Sequence, residues 1–174
     1  CGAFLLDTPA DYKTFCRRCD DDFYDFARAI GRYEKALLVT ILNLKHTPLV
    51  PKTLSDLLCK TFSDSDFQDS TLIIPVPLSS KRLAERRFNQ AEILAEKLAK
   101  QTRLTFDKTS LRRKVHIQKS RRGMDRKSRL ESVKNAFEVV SPRLIEGQKI
   151  LLIDDVFTSG ATVSNCAEVL KKAG

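Results

Sequence analysis

"ILLIDDVFTSGAT", residues 150–162, decides how this chain is read. Residues 150–153 are all aliphatic, as in a parallel strand covered on both faces. Asp154 and Asp155 follow at once, and then Thr158, Ser159, Gly160, Ala161 and Thr162. A buried strand would deliver the two acids to a sheet edge. The small and hydroxyl residues would then turn toward a helix whose first N–H groups lack intrahelical partners and carry partial positive charge. Such a turn suits a phosphate: Gly160 permits close backbone approach, and Thr158, Ser159 and Thr162 add hydroxyl donors. Two carboxylates beside a phosphate cradle would repel the ligand unless they bind another part of it. Sugar hydroxyls and a divalent cation both fit, so the expected ligand is a phosphorylated sugar accompanied by Mg²⁺.

Outward from this stretch, the chain alternates between two periodicities. Residues 33–45 place Leu37, Ile41 and Leu44 at helical spacing, and "LSDLLCKTF" (54–62) makes a second short helix after Pro51. "TLIIPVP" (71–77) reads as a buried strand stopped by prolines, and residues 89–102 as an amphipathic helix with Ile93, Leu94 and Leu98 on one face. Short strands are expected at 104–106 and 136–140, then "QKILLID" (148–154) as a strand and a helix from about Thr162. Strands separated by helices predict an α/β fold with a parallel sheet, whose ligands bind at the carboxyl ends of the strands. The opening stretch occupies such an end.

The 174 residues are 42% hydrophobic and 30% charged, the composition of a globular domain rather than a disordered tail. No run approaches the roughly 18 apolar residues of a membrane span, and no signal-peptide pattern opens the chain, so a cytoplasmic protein is expected. The formal charge of +9 points to an anionic partner, and it is concentrated. From Arg112 to Lys134 ten Lys or Arg face only Asp125 and Glu131, a local +8. With Gly123 and interspersed Ser and Gln, this segment reads as a loop or solvated arm.

Five cysteines divide into two kinds. Cys59 and Cys166 sit among helix formers with aliphatic neighbours and read as buried structural thiols. Cys16 and Cys19 form "CRRC", a spacing that lets both thiolates of one turn meet a tetrahedral zinc; a redox pair has the same spacing. Cys1 followed by Gly2 looks like the tail of a second such pair, giving Cys1, Cys16 and Cys19 as three zinc ligands with the fourth absent from the chain.

Residues 150–162 closely resemble the phosphoribosyl pyrophosphate motif of type I phosphoribosyltransferases. "IIPVPLSSKRLAERRFNQAEILA" (73–95) is similar to the Pro-Val-Pro-Leu and Arg-Gly-Phe-Asn-Gln segments of the ComF family, competence-associated phosphoribosyltransferase-like proteins. "LRR" (111–113), Gln118, Arg129, Ala136, Phe137 and the leading cysteine knuckle also fall where that family has its counterparts. Arg87 stands where Gly is usual, Ser132 where Asn is usual, and Val115 where Thr is common.

The resemblance implies a partial zinc knuckle over residues 1–30, truncated at its start, and a phosphoribosyltransferase-like domain over 31–174, truncated at its end. It implies that Ser79, Ser80, Lys81 and Arg82 form a pyrophosphate-binding loop, in agreement with two cations beside a strand end. A polar helix start at Leu83 is the plainer reading of the same residues. Arg86, Asn89 and Gln90 either shape the site or pack. Segment 112–134 falls where the family has a hood that closes over the substrate; its charge also fits single-stranded DNA, although its only ring side chain, His116, gives bases little to stack on. The implied activity is transfer of the 5-phosphoribosyl group to an acceptor with release of pyrophosphate. Asp154 and Asp155 would hold the ribose hydroxyls and orient Mg²⁺. A DNA-handling competence accessory and a non-catalytic phosphoribosyl pyrophosphate sensor are the alternatives.

Overall fold

The structure, a computed structural model, describes residues 22–114 and 136–174. Cys1, Cys16, Cys19 and residues 115–134 of the basic segment lie outside the described residues. Helix α1 spans Lys35–Asn43 and α2 Lys52–Ser63, the latter starting behind Pro51, whose fixed φ suits a helix entry. Strand β1 is Leu72–Pro75, followed by α3 (Ser80–Arg86) and α4 (Gln90–Thr102). Then come β2 (Thr105–Phe106), β3 (Leu111–Arg113), β4 (Phe137–Val139), β5 (Ile150–Ile153) and α5 (Ala161–Ala173).

Strands β2, β1 and β5 form a parallel sheet in that order, with β1 in the centre. Parallel neighbours need crossover connections, and α3 with α4 supplies the one between β1 and β2. The alternation of the strands divides the core. Ile73, Leu151 and Ile153 pack with Ile41 of α1, Leu44 at its C-cap, Leu54 of α2 and Leu94 and Leu98 of α4. Leu72, Ile74 and Val76 point the other way, to Cys166 and Leu170 of α5 and to Leu111 and Phe137. Central β1 is buried along its whole length, which explains its unbroken apolar sequence.

Two expectations need correction. The strand expected at 136–140 forms, but it pairs antiparallel with β3 in a separate ladder, Leu111 opposite Val139 and Arg113 opposite Phe137. Its apolar residues close over α5 instead of widening the parallel sheet. Arg112 and Arg113, read as the start of the solvated arm, therefore belong to a strand, and Arg113 lies 5.2 Å over the Phe137 ring. The Lys114 N–H donates to the Ala136 carbonyl at 2.9 Å, so the ladder reaches both ends of segment 115–135. Among the described residues no helix is long and apolar enough to cross a membrane.

Candidate functional site

The pairing of β1 with β5 brings together two stretches that are far apart in sequence. Pro75 is in register with Ile153, and the Val76 N–H donates to the Ile153 carbonyl at 2.8 Å. The turns leaving these strands, 76–79 and 154–160, thus emerge side by side at the carboxyl end of the sheet. That edge is where open parallel sheets expose ligand-binding loops.

Asp154 and Asp155 are half-buried at the mouth of β5, and the Asp155 N–H donates to Asp154 Oδ1 at 2.9 Å. Burial, and then the neighbouring Asp155 charge, push the Asp154 carboxyl up to about 7. The folded environment of Asp154 therefore favours its neutral acid. Among the described residues no cluster of three or more His, Cys, Asp or Glu forms a metal cage. Two adjacent carboxylates alone fit Mg²⁺, which is usually held by one or two carboxylates and completed by water and substrate oxygens.

Thr158 and Ser159 are exposed, and Gly160 turns the chain into α5 with φ of +79°. That left-handed conformation favours glycine, and the space does too. A Cβ on Gly160 would stand 2.9 Å from Phe157 Cζ and 2.9 Å from the Tyr24 hydroxyl. The Ser159 Oγ accepts from the Ala161 N–H at 3.5 Å, a long contact, and Ala161 and Thr162 lie exposed in the first turn of α5.

On the β1 side, only Ser79 belongs to a turn. Ser80, Lys81 and Arg82 open α3, with Ser79 as its N-cap accepting from the Arg82 N–H at 3.4 Å. The expectation of a loop through 79–82 is thus corrected to a capped helix start, three residues ahead of Leu83. Lys81 and Arg82 remain exposed beside the sheet edge. Arg86, Asn89 and Gln90 pack. Asn89 Nδ2 donates to the Val76 carbonyl at 2.9 Å while its Oδ1 caps α4 through the Ala91 N–H at 3.2 Å. Gln90 accepts from Arg86 Nη1 at 2.8 Å and donates to the Leu44 carbonyl at 3.4 Å. Asn89 therefore fixes the turn after β1 to the start of α4.

Sequence reasoning missed one contributor to this edge, the segment running from Asp22 toward α1. The Phe23 N–H donates to Ser164 Oγ of α5 at 3.1 Å across a separation of 141 residues. Tyr24 meets Phe157 edge-on, with ring centroids 6.0 Å apart at 79°. Asp25 pairs with Lys171 at 2.7 Å, and Phe26 stacks on Phe67 at 4.7 Å. No local pattern announces contacts of such range. Of the two remaining thiols, Cys166 is buried, as expected, but Cys59 is only half-buried, its thiol donating to Gln101 Oε1 at 2.8 Å.

Known proteins bear on this arrangement. No model of a protein family and no solved structure matches the chain significantly. Competence protein F of Haemophilus influenzae is 29% identical over 94% of this chain and 75% of its own length. Competence protein ComFC of Bacillus subtilis is 33% identical over 66% of this chain. These relatives support membership of the ComF family. A further ComF relative, DNA utilization protein YhgH of Salmonella typhi, is 32% identical over 59% of this chain. The chain spans only 42% of ComFC and 44% of YhgH.

Proposed function

We propose that this protein has a type I phosphoribosyltransferase-like fold, binds phosphoribosyl pyrophosphate with Mg²⁺, and transfers the 5-phosphoribosyl group to an acceptor. One observation carries the reading: the parallel β1–β5 pair sets the Ser79–Arg82 cations and the 154–162 acid and hydroxyl loop at the same sheet end. In this reading Thr158, Ser159 and Thr162, with the first N–H groups of α5, hold the 5-phosphate. Asp154 and Asp155 accept the ribose hydroxyls. Mg²⁺, when bound, would neutralise charge on the pyrophosphate, and Lys81 and Arg82 would attract the same leaving group from the β1 side. Charge separates as the C1–oxygen bond to pyrophosphate breaks, so fixed cations and positioning account for the acceleration expected here. Segment 115–135, tethered between Lys114 and Ala136, is positioned in sequence to serve as the hood over that leaving group.

Calorimetry with phosphoribosyl pyrophosphate and Mg²⁺ tests the binding reading. Replacing Thr158 and Thr162 together by Val should weaken binding by on the order of 1 to 3 kcal/mol for each buried hydrogen bond to the phosphate that the change removes. Unchanged affinity in that variant would count against the assignment. Pyrophosphate release across candidate acceptors then separates turnover from sensing. The names of the relatives, competence and DNA utilization proteins, favour a second reading in which the same fold handles DNA. The two readings share the basic segment and differ in what its charges face.

A further inference from the structure

The segment 22–26 contacts the proposed phosphate loop and the helix behind it at successive residues. Its Phe23 N–H reaches Ser164 Oγ, its Tyr24 ring meets Phe157, and its Asp25 reaches Lys171 near the far end of α5. Ser164 is itself buried and its N–H donates to the Gly160 carbonyl at 2.8 Å, so the same helical turn is held from within and from outside. Gly160 sits between Phe157 on the loop and the Tyr24 hydroxyl on the strap, with no room for a Cβ against either. The Tyr24 hydroxyl donates to Asp22 Oδ2 at 2.6 Å, a partner two residues back on the same segment.

We infer that Tyr24 is a positioning residue for the 5-phosphate half of the site. Its ring, set edge-to-face with Phe157, keeps the 157–160 turn closed on Gly160, so that the hydroxyl and N–H donors of residues 158–162 converge on one phosphate. An exposed loop of small residues has few contacts of its own to hold such a shape. Thr158 and Ser159 are both open to solvent, and the aromatic pair supplies the missing restraint. The energy of an edge-to-face pair is modest, but it acts on a loop that must be ordered before it can bind. Tyr24 acts from outside the loop and touches no reacting atom in this scheme.

This inference rests on the phosphoribosyl pyrophosphate reading, and the test keeps the two apart by dividing the ligand. Ribose 5-phosphate probes the loop after β5, and inorganic pyrophosphate with Mg²⁺ probes the β1 side. Tyr24→Ala should weaken ribose 5-phosphate roughly tenfold and leave pyrophosphate binding as it was. Tyr24→Phe, which keeps the ring and gives up the hydroxyl, should restore most of the affinity. Asp25→Ala releases the strap at Lys171 only and should leave both affinities unchanged. If Tyr24→Ala does not fold, Phe157→Leu reads the same contact from the loop side and should show the same selective weakening. Equal weakening of both probes, or none, overturns the positioning role, as does failure of Tyr24→Phe to rescue. If the unaltered protein binds neither probe, the ligand assignment itself falls, and this inference with it.

Discussion

Asp154 carries the most environment-dependent charge of the site. Its folded carboxyl is raised from 3.8 to about 7 by burial and by Asp155, so the folded state prefers the neutral acid. An unfolded Asp ionises near pH 4, and between these limits the unfolded state gains from deprotonation while the folded state does not. Its contribution is therefore fully present below about pH 4 and falls as pH rises toward 7, by roughly 1.4 kcal/mol per pH unit across that window. Asp154→Asn should flatten this part of the profile. Denaturant titrations of the two proteins at pH 4.5 and 7.5, without ligand, check it: the variant should gain relative stability at the higher pH. A cation bound at the acid pair would oppose the same decline, so Mg²⁺ with phosphoribosyl pyrophosphate should also release a proton near neutral pH.

Among the described α-helices, α3 is the one with no buried residue. It is held by its caps, and its C-cap is strained: Arg87 adopts φ of +67°, a left-handed conformation that costs an ordinary side chain about 1 kcal/mol. The family's usual glycine at this position has a physical reason, since it enters that region without steric cost. Arg87→Gly should raise stability by about 0.5 to 1 kcal/mol in equilibrium unfolding, and a drop in stability would mean that the Arg87 side chain has compensating contacts. This helix also marks what the sequence could not announce. Strands β1 and β5 and helix α4 were legible because apolar runs and 3.6-residue spacing report burial directly. Helix α3 buries nothing, so it left no periodic trace in "SSKRLAER", and its Ser and cations read either as a loop or as the lead-in to a helix beginning only at Leu83. Strand β3 was hidden for a related reason, since three residues with two arginines resemble a charged run more than a strand. At the site, Asp154 through Thr162 were readable as chemistry because they are contiguous. Tyr24 and Phe157 were not, because only the fold makes them neighbours.

At the scale of the molecule, charge and tertiary arrangement must be considered together. Nearly all of the net +9 lies between Arg112 and Lys134, and the β3–β4 ladder anchors both ends of the segment that carries most of it. If these cations close over a single small anion, replacing Arg121, Arg122, Arg126 and Lys127 by Gln should weaken pyrophosphate binding with a shallow salt dependence. If they follow a polynucleotide, log affinity for single-stranded DNA should fall with log salt at about −0.7 per phosphate contact. That slope should shrink in the variant while phosphoribosyl pyrophosphate affinity stays intact, and filter binding across a salt series beside calorimetry separates the outcomes. Cys166 offers a different kind of access to the whole fold. It lies fully buried between α5 and the sheet, its ionisation opposed first by burial and then by the Asp154 charge. An alkylating reagent needs the thiolate, so it can reach this sulfur only when α5 lifts from the sheet. The rate of modification, followed on the peptide that contains Cys166, becomes an internal clock for that opening. A ligand that binds only the closed form must slow the clock by the factor 1 + [L]/Kd, which gives affinity for the site without any assay of turnover.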